Sequence, residues 1–207
     1  MLRNLYLAVS LFVIAPMLAA SGGSRALPMP AERSGDSYAI YALLLPGEPF
    51  NSMSPEQTRA WAIADTTVSI DDMNPAVPPD GQLTPPPDNV HAFREALRDF
   101  RTRRYERVQL TRNFNVDRTY SLLTAEQVAE FRDSRTSMAA GSQQQNKYAG
   151  YPGITFFSQV FFNANQTAAL VYMNNWCANL CAAGQWVYLE KHGSQWVRRS
   201  GITSKLS

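Results

Sequence analysis

An α+β fold is predicted by three features of this chain. Residues 154–203 alternate short apolar, aromatic-rich runs with turn residues, the pattern of an antiparallel meander. Around Phe93, Leu97 and Phe100, apolar residues recur at helical spacing between charged ones. Residues 38–45 form a compact apolar run that stops at Pro46 and Gly47. Together these predict a C-terminal four-strand antiparallel meander packed with N-terminal and central helices. With 45% apolar residues, the 207-residue chain can bury one sizeable core.

The first 26 residues have the order of a signal peptide. Arg3 supplies a positive start, residues 5–20 are apolar except for Ser10 and Pro16, and small residues follow. Cleavage is expected after Ala26, with Ser24 at the minus-three position, or after Gly22, with Ala20 there. An uncleaved anchor is the competing reading, but sixteen interrupted residues fall short of the roughly 20 that span a bilayer. A secreted or periplasmic protein with no stable membrane span after cleavage is therefore expected.

The chain carries 19 basic and 17 acidic residues. Losing Arg3 and Arg25 with the leader leaves 17 of each, so neither nucleic acid nor an anionic membrane is expected as a partner.

Residues 27–35, rich in Pro, Ser and Gly, are expected to be a flexible lead-in to one domain over 36–207. Asp36 or Ser37 then caps a helix that places Tyr38, Tyr41, Ala42 and Leu45 on one side, with a short strand as the alternative. The β-branched run that ends at Ile70 predicts a strand beside the C-terminal sheet. Residues 74–89 hold six prolines and are expected to form an exposed loop without helix or interior strand.

Asp88 or Asn89 caps the clearest helix, with Phe93, Leu97 and Phe100 as a narrow apolar stripe. Its outer faces carry arginines, Arg98 and Arg101 among them, and between 94 and 118 eight arginines face four acids. Such a cluster can hold a carboxylate or phosphate bidentately, or it can be a solvated helix face. Thr124 and Gln127 have the spacing of a capping box and predict a short helix ending near Arg135. Residues 136–150 are expected to be a polar linker.

In the meander, strands are expected over 155–162, 167–173, 185–191 and 195–203, with 174–184 as the longest connection. The two cysteines, Cys177 and Cys181, fall inside that connection, and in an exported chain they are expected to close a disulfide. The loop is short, so its main effect would be to hold the connection rigid. The spacing is not that of a redox dithiol, and two cysteines with His91 and His192 far off in sequence give no metal-ligand pattern.

The order Phe162-Asn163, residues 167–172, a small-residue loop with Cys177 and Cys181 leading to Gly184, then residues 188–191, Gly193 and Trp196-Val197 resembles the C-terminal part of a group of uncharacterised exported bacterial proteins. That resemblance implies bacterial export and an α+β domain, and it assigns no activity. Ala178 and Ala182 stand where the group commonly has glycine.

No nucleophile elbow, phosphate loop or His-Glu-x-x-His occurs. Asp71-Asp72, and Glu190 near His192, are the nearest catalytic constellations, and each has an ordinary structural explanation. The expected function is therefore a non-catalytic binding or structural domain of the cell envelope, without cofactor or metal. It would meet an envelope protein or small ligand through the sheet and the 174–184 segment, where Trp176 is the aromatic expected to be exposed, with Arg98 and Arg101 as secondary candidates. The alternative is a small-molecule hydrolase or isomerase with its pocket between the sheet and the helix at 89–104.

Overall fold

A computed structural model describes residues 25–45, 59–73, 76–136, 147–148, 150–178 and 181–199, apart from the side chains of Thr136, Ala178 and Cys181. Strand β1 (Leu27–Pro28) pairs in parallel with β3 (Val108–Gln109), and helix α1 (Ala31–Leu44) begins directly after Pro30. Residues 27–35 are thus a paired strand and the first helical turns rather than a flexible lead-in. Gly35 costs a helix interior about 1 kcal/mol, but the turns after it bury Tyr38, Ile40, Tyr41 and Leu44. Asp36, expected as a cap, lies inside the helix and accepts Lys191 Nζ at 2.7 Å and Trp196 Nε1 at 2.8 Å.

Strand β2 (Trp61–Ala64) lies between β4 (Tyr120–Leu123) and β5 (Ile154–Phe157), parallel to both. From β5 the sheet turns antiparallel through β7 (Ala168–Ala178), β8 (Cys181–His192) and β9 (Gln195–Arg198), while β6 (Phe161–Phe162) pairs with β7 beyond the end of β5. The α+β class and the C-terminal antiparallel strands are as the sequence predicts.

The expected first meander strand is broken. Residues 158–160 interrupt it, so Phe157 and Phe162 face one core and Phe161 the other, where strict alternation would pair Phe157 with Phe161. Buried Ser158 fills the break, accepting the Tyr172 N–H at 2.8 Å through its hydroxyl and the Tyr41 hydroxyl at 2.9 Å through its carbonyl.

Residues 174–178 and 181–184, expected as a connection, are the ends of β7 and β8, and only Asn179 and Leu180 separate the two strands in sequence. Asparagine, alanine and glycine are poor strand formers, but pairing of 174–176 with β5 on one side and β8 on the other outweighs propensity. The expected Cys177–Cys181 disulfide falls on the Cys181 side chain, outside the described residues. Of the fourth expected strand, 195–198 is observed and 200–203 lies outside the described residues.

Helix α2 (Pro79–Gln82) gives the proline-rich segment one helical turn that the proline count argued against. Pro79 stands at its first position, where the missing N–H costs nothing. Residues 74–75 of that segment, and 137–146 and 149 of the expected polar linker, lie outside the described residues.

Helix α3 (Val90–Arg103) buries Ala92 and Ala96 beside Phe93, Leu97 and Phe100, so its apolar face is wider than the large residues alone suggest. Helix α4 (Ala125–Thr136) starts with the expected capping box: Gln127 Oε1 accepts the Thr124 N–H at 3.0 Å and Thr124 Oγ1 accepts the Gln127 N–H at 3.4 Å.

The helices cover the sheet from both sides. Ala169, Val171, Met173, Val187 and Leu189 pack with α1, while Ala168, Leu170, Tyr172, Trp186 and Tyr188 pack with α3. Phe131 and Val128 of α4 cover Ala62, Ala64 and Ile154 on the α3 side. Among the described residues no helix is long and apolar enough to cross a membrane.

Candidate functional site

The space between α3 and the sheet is filled with rings. Phe100 meets Phe161 and Trp186 edge-on, each at 5.2 Å between centroids, and Phe93 lies 5.3 Å from Tyr188. Such pairs add about 0.5–1.5 kcal/mol each beyond burial.

At one end of α3 a cleft of about 470 Å³ opens between that helix, the start of α1 and the β6–β7 turn. Arg98 lines it, with Glu32, Arg33, Glu95 and Asp99. Its groups are largely engaged with one another. Arg33 is clamped by the Asp99 carboxylate and lies over the Phe162 ring at 5.1 Å, and Asp99 also accepts the Phe162 N–H at 2.9 Å. Arg98 reaches Glu95 at 3.3 Å.

Arg101 lies outside that cleft and pairs with Asp80 of α2 at 2.9 Å. Arg103 pairs with Glu106 and Arg107 with Asp72, so the arginine excess near α3 is partly neutralised within the chain. Asp71 and Asp72 belong to a single 3-10 turn (Ile70–Asp72), whose cap Ser69 donates its backbone N–H to Asp72 at 2.7 Å.

Glu190, buried on β8, is the centre of a polar cluster rather than a partner of His192. One oxygen accepts Asn89 Nδ2 at 2.8 Å and the Tyr188 hydroxyl at 3.0 Å, and the other faces Arg199 Nε at 3.4 Å. Arg199 in turn binds both oxygens of Asp88, at 2.6 and 2.7 Å. Burial, followed by the neighbouring Glu190 carboxylate, pushes the Tyr188 phenol far above its usual value, so it stays a donor. Asn89 precedes α3 without a side-chain cap bond because its amide is turned to Glu190.

Trp176 stands on the opposite side of this helix layer, at the rim of α4. It is half-buried, and its ring is 6.3 Å from Phe131. Beside it the α3 side of the sheet is open: Asn174 is half-buried, and Ala182 and Gly184 are exposed. Trp176 pairs with Ala182, and Asn174 with Gly184 and Phe156, so these residues form two adjoining rows across β5, β7 and β8.

Gly184 lets the Tyr172 phenol lie across it; a Cβ there would stand 1.8 Å from the phenol oxygen. Asn174 Nδ2 donates to that oxygen at 3.4 Å. Exposed Arg132 of α4 lies over two rings at this rim, 5.2 Å from the Phe156 centroid and 5.5 Å from that of Trp176.

Sequence reasoning singled out Trp176 and the 174–184 segment but not Phe156 or Arg132. Phe156 resembles the other core phenylalanines of its strand, and Arg132 carries no signal until α4 sets it above β5. Among the described residues no group of three or more His, Cys, Asp or Glu could hold a metal ion.

Comparison of the chain with models of known protein families, with curated proteins and with solved structures gives no match. The site is therefore read from the residues of this chain.

Proposed function

We propose that this protein is an exported, non-catalytic binding domain of the bacterial envelope, and that its binding face is the open strip of Asn174, Trp176, Ala182 and Gly184. The observation that carries the reading is the uncovered stretch of sheet between α3 and α4. Small residues leave the backbone accessible there, and a half-buried tryptophan edges it. A half-buried aromatic beside flat, exposed sheet supplies apolar contact area at little cost in side-chain entropy.

The leader and the Cys177–Cys181 disulfide belong to this reading, with the disulfide stiffening the hairpin beside Trp176. In the periplasmic protein neither cysteine should react with iodoacetamide before reduction, and both should react after it. Labelling without reduction counts against the disulfide.

The binding face is tested with a photoreactive phenylalanine analogue at Ala182, compared in living cells with the same analogue at Leu43 on the far side of the sheet. Adducts from position 182 that disappear in Trp176→Ala support the reading. Equal adducts from both positions, or none from 182, overturn it.

The alternative, a small-molecule hydrolase or isomerase with its pocket between the sheet and α3, meets a space filled by Phe100, Phe161 and Trp186, and its remaining support is the cleft of Glu32, Arg33, Glu95, Arg98 and Asp99. Measured turnover that is lost in Glu95→Gln with the fold intact would favour it.

A further inference from the structure

We infer that the ligand of the open strip carries a single carboxylate beside a flat apolar body, and that Arg132 is its anchor; this rests on the binding face proposed above. Arg132 is exposed, and its guanidinium carbon lies 5.2 Å from the Phe156 ring centroid and 5.5 Å from that of Trp176, which places its charge at the edge of the strip. Among the described residues it makes no hydrogen bond or ion pair. The helix explains why: the positions three and four residues away are Val128, Ala129, Arg135 and Thr136, none of them acidic.

Two other stacked arginines of the chain are engaged. Arg33, over Phe162, is held by Asp99, and Arg135, over Phe131, donates to the Tyr148 carbonyl at 3.3 Å and the Tyr151 carbonyl at 2.6 Å. A guanidinium stacked on aromatic faces keeps its N–H fork free at the edge. The ring contacts draw the guanidinium to one place, which lowers the ordering cost of binding.

The charge count selects the ligand class. Arg132 supplies one positive charge at the strip, and Arg135, the next cation along α4, has one terminal nitrogen turned inward to the Tyr148 and Tyr151 carbonyl oxygens. One fork pairs with one carboxylate bidentately and balances its charge, whereas a phosphate dianion on the same fork would keep a net negative charge. The apolar body is set by the surroundings: Ala182 leaves the sheet open, the Tyr172 ring lies across Gly184, and Trp176 forms a side wall.

The probe is 2-naphthoate, a flat ring system with one carboxylate, titrated into the leader-free, oxidised protein and followed by amide chemical shifts. The controls are 2-naphthamide and 2-naphthyl phosphate. The expected result is saturable shifts at residues 174–176 and 182–184. The amide should bind at least about tenfold more weakly, as loss of a charged hydrogen bond implies, and the phosphate no better than the carboxylate.

Arg132→Gln should abolish the preference for acid over amide, Arg132→Lys should restore part of it, and Arg94→Gln should leave it unchanged, each with an unchanged melting temperature. Equal binding of acid and amide, an unaffected Arg132→Gln protein, or tighter binding of the phosphate overturns the inference. If naphthoate fails while Ala182 still cross-links in a Trp176-dependent way, the carboxylate class falls and the binding face stands. If both fail, both fall.

Discussion

Gly184 and Tyr172 are a matched pair, since the phenol occupies the space that any side chain at 184 would take. Gly184→Ala must push the buried Tyr172 ring aside, and it is expected to lower stability by about 1–3 kcal/mol, the usual range for overpacking. Gly193, at φ 62° with open space around it, gives the contrast. Alanine there should cost about 1 kcal/mol from backbone conformation alone. Urea midpoints separate the two, and Gly184→Ala should in addition perturb the strip around Asn174. The composition marked 184 only as a small residue in a connection; its contact across the hairpin follows from a register that local sequence does not display.

Asp72 makes the clearest pH prediction. Burial alone would raise its carboxyl, but the Arg107 guanidinium, 2.9 Å away, and the Ser69 N–H and hydroxyl outweigh burial and hold it below the usual carboxylate value. A lowered folded-state pKa gives stability that is fully present above the unfolded value of about 3.9 and is lost as pH falls through the folded one. Urea midpoints followed from neutral pH to pH 2 should drop in that acid window and drop less in Asp72→Asn. In the sequence Asp71-Asp72 looked like a solvated pair or turn cap. The cap is there, but Arg107, 35 residues on, is the partner that sets the charge.

Among the elements, α3 is held both along its apolar face and at its start. Its apolar face packs on β6 and β7, and the residues before it join β8 and Arg199 through the Glu190 cluster. Glu190→Ala leaves Asn89, the Tyr188 hydroxyl and Arg199 without their shared acceptor. It is expected to cost about 3 kcal/mol, as breaking a buried charged network does. Arg199→Ala leaves the Glu190 carboxylate its Asn89 and Tyr188 donors but takes away its cation, so it should cost a part of that amount in the same denaturation experiment.

The helix over α3 was legible because Phe93, Leu97 and Phe100 repeat strongly enough to survive any register. Strand β4 was not, because Tyr120, Ser121 and Leu122 are only half-buried and become a strand by pairing with β2. The extent of β7 and β8 was hidden for a related reason: residues 182–184 are poor strand formers held by their neighbours.

For the molecule as a whole, α1 supplies much of the cover on one face of the sheet, with Leu110 and Phe114 beside it. A chain that begins at residue 46 would expose Val171, Met173, Val187 and Leu189 together. It is expected to lose the cooperative unfolding transition and the near-ultraviolet dichroism of its buried aromatics. Retention of either would show that the sheet with α3 and α4 is a sufficient core. The α+β class and the C-terminal antiparallel strands were legible in alternation and turn residues. The parallel half of the sheet was not, because β2 finds β4 and β5 across some sixty and ninety residues, and nothing local encodes such a distant match.

Translation order acts on this architecture. Helix α1 is among the first described segments to be made, yet most of the face it covers comes from residues 157–196, and Trp196 of β9 is among its partners. The parallel centre also waits for β5 before β2 has both neighbours. Until the last strands emerge, α1 and β2 have little on which to pack, and long-range pairing of this kind is slow to form. The fold therefore closes only once β9 has been made and can pair with β8.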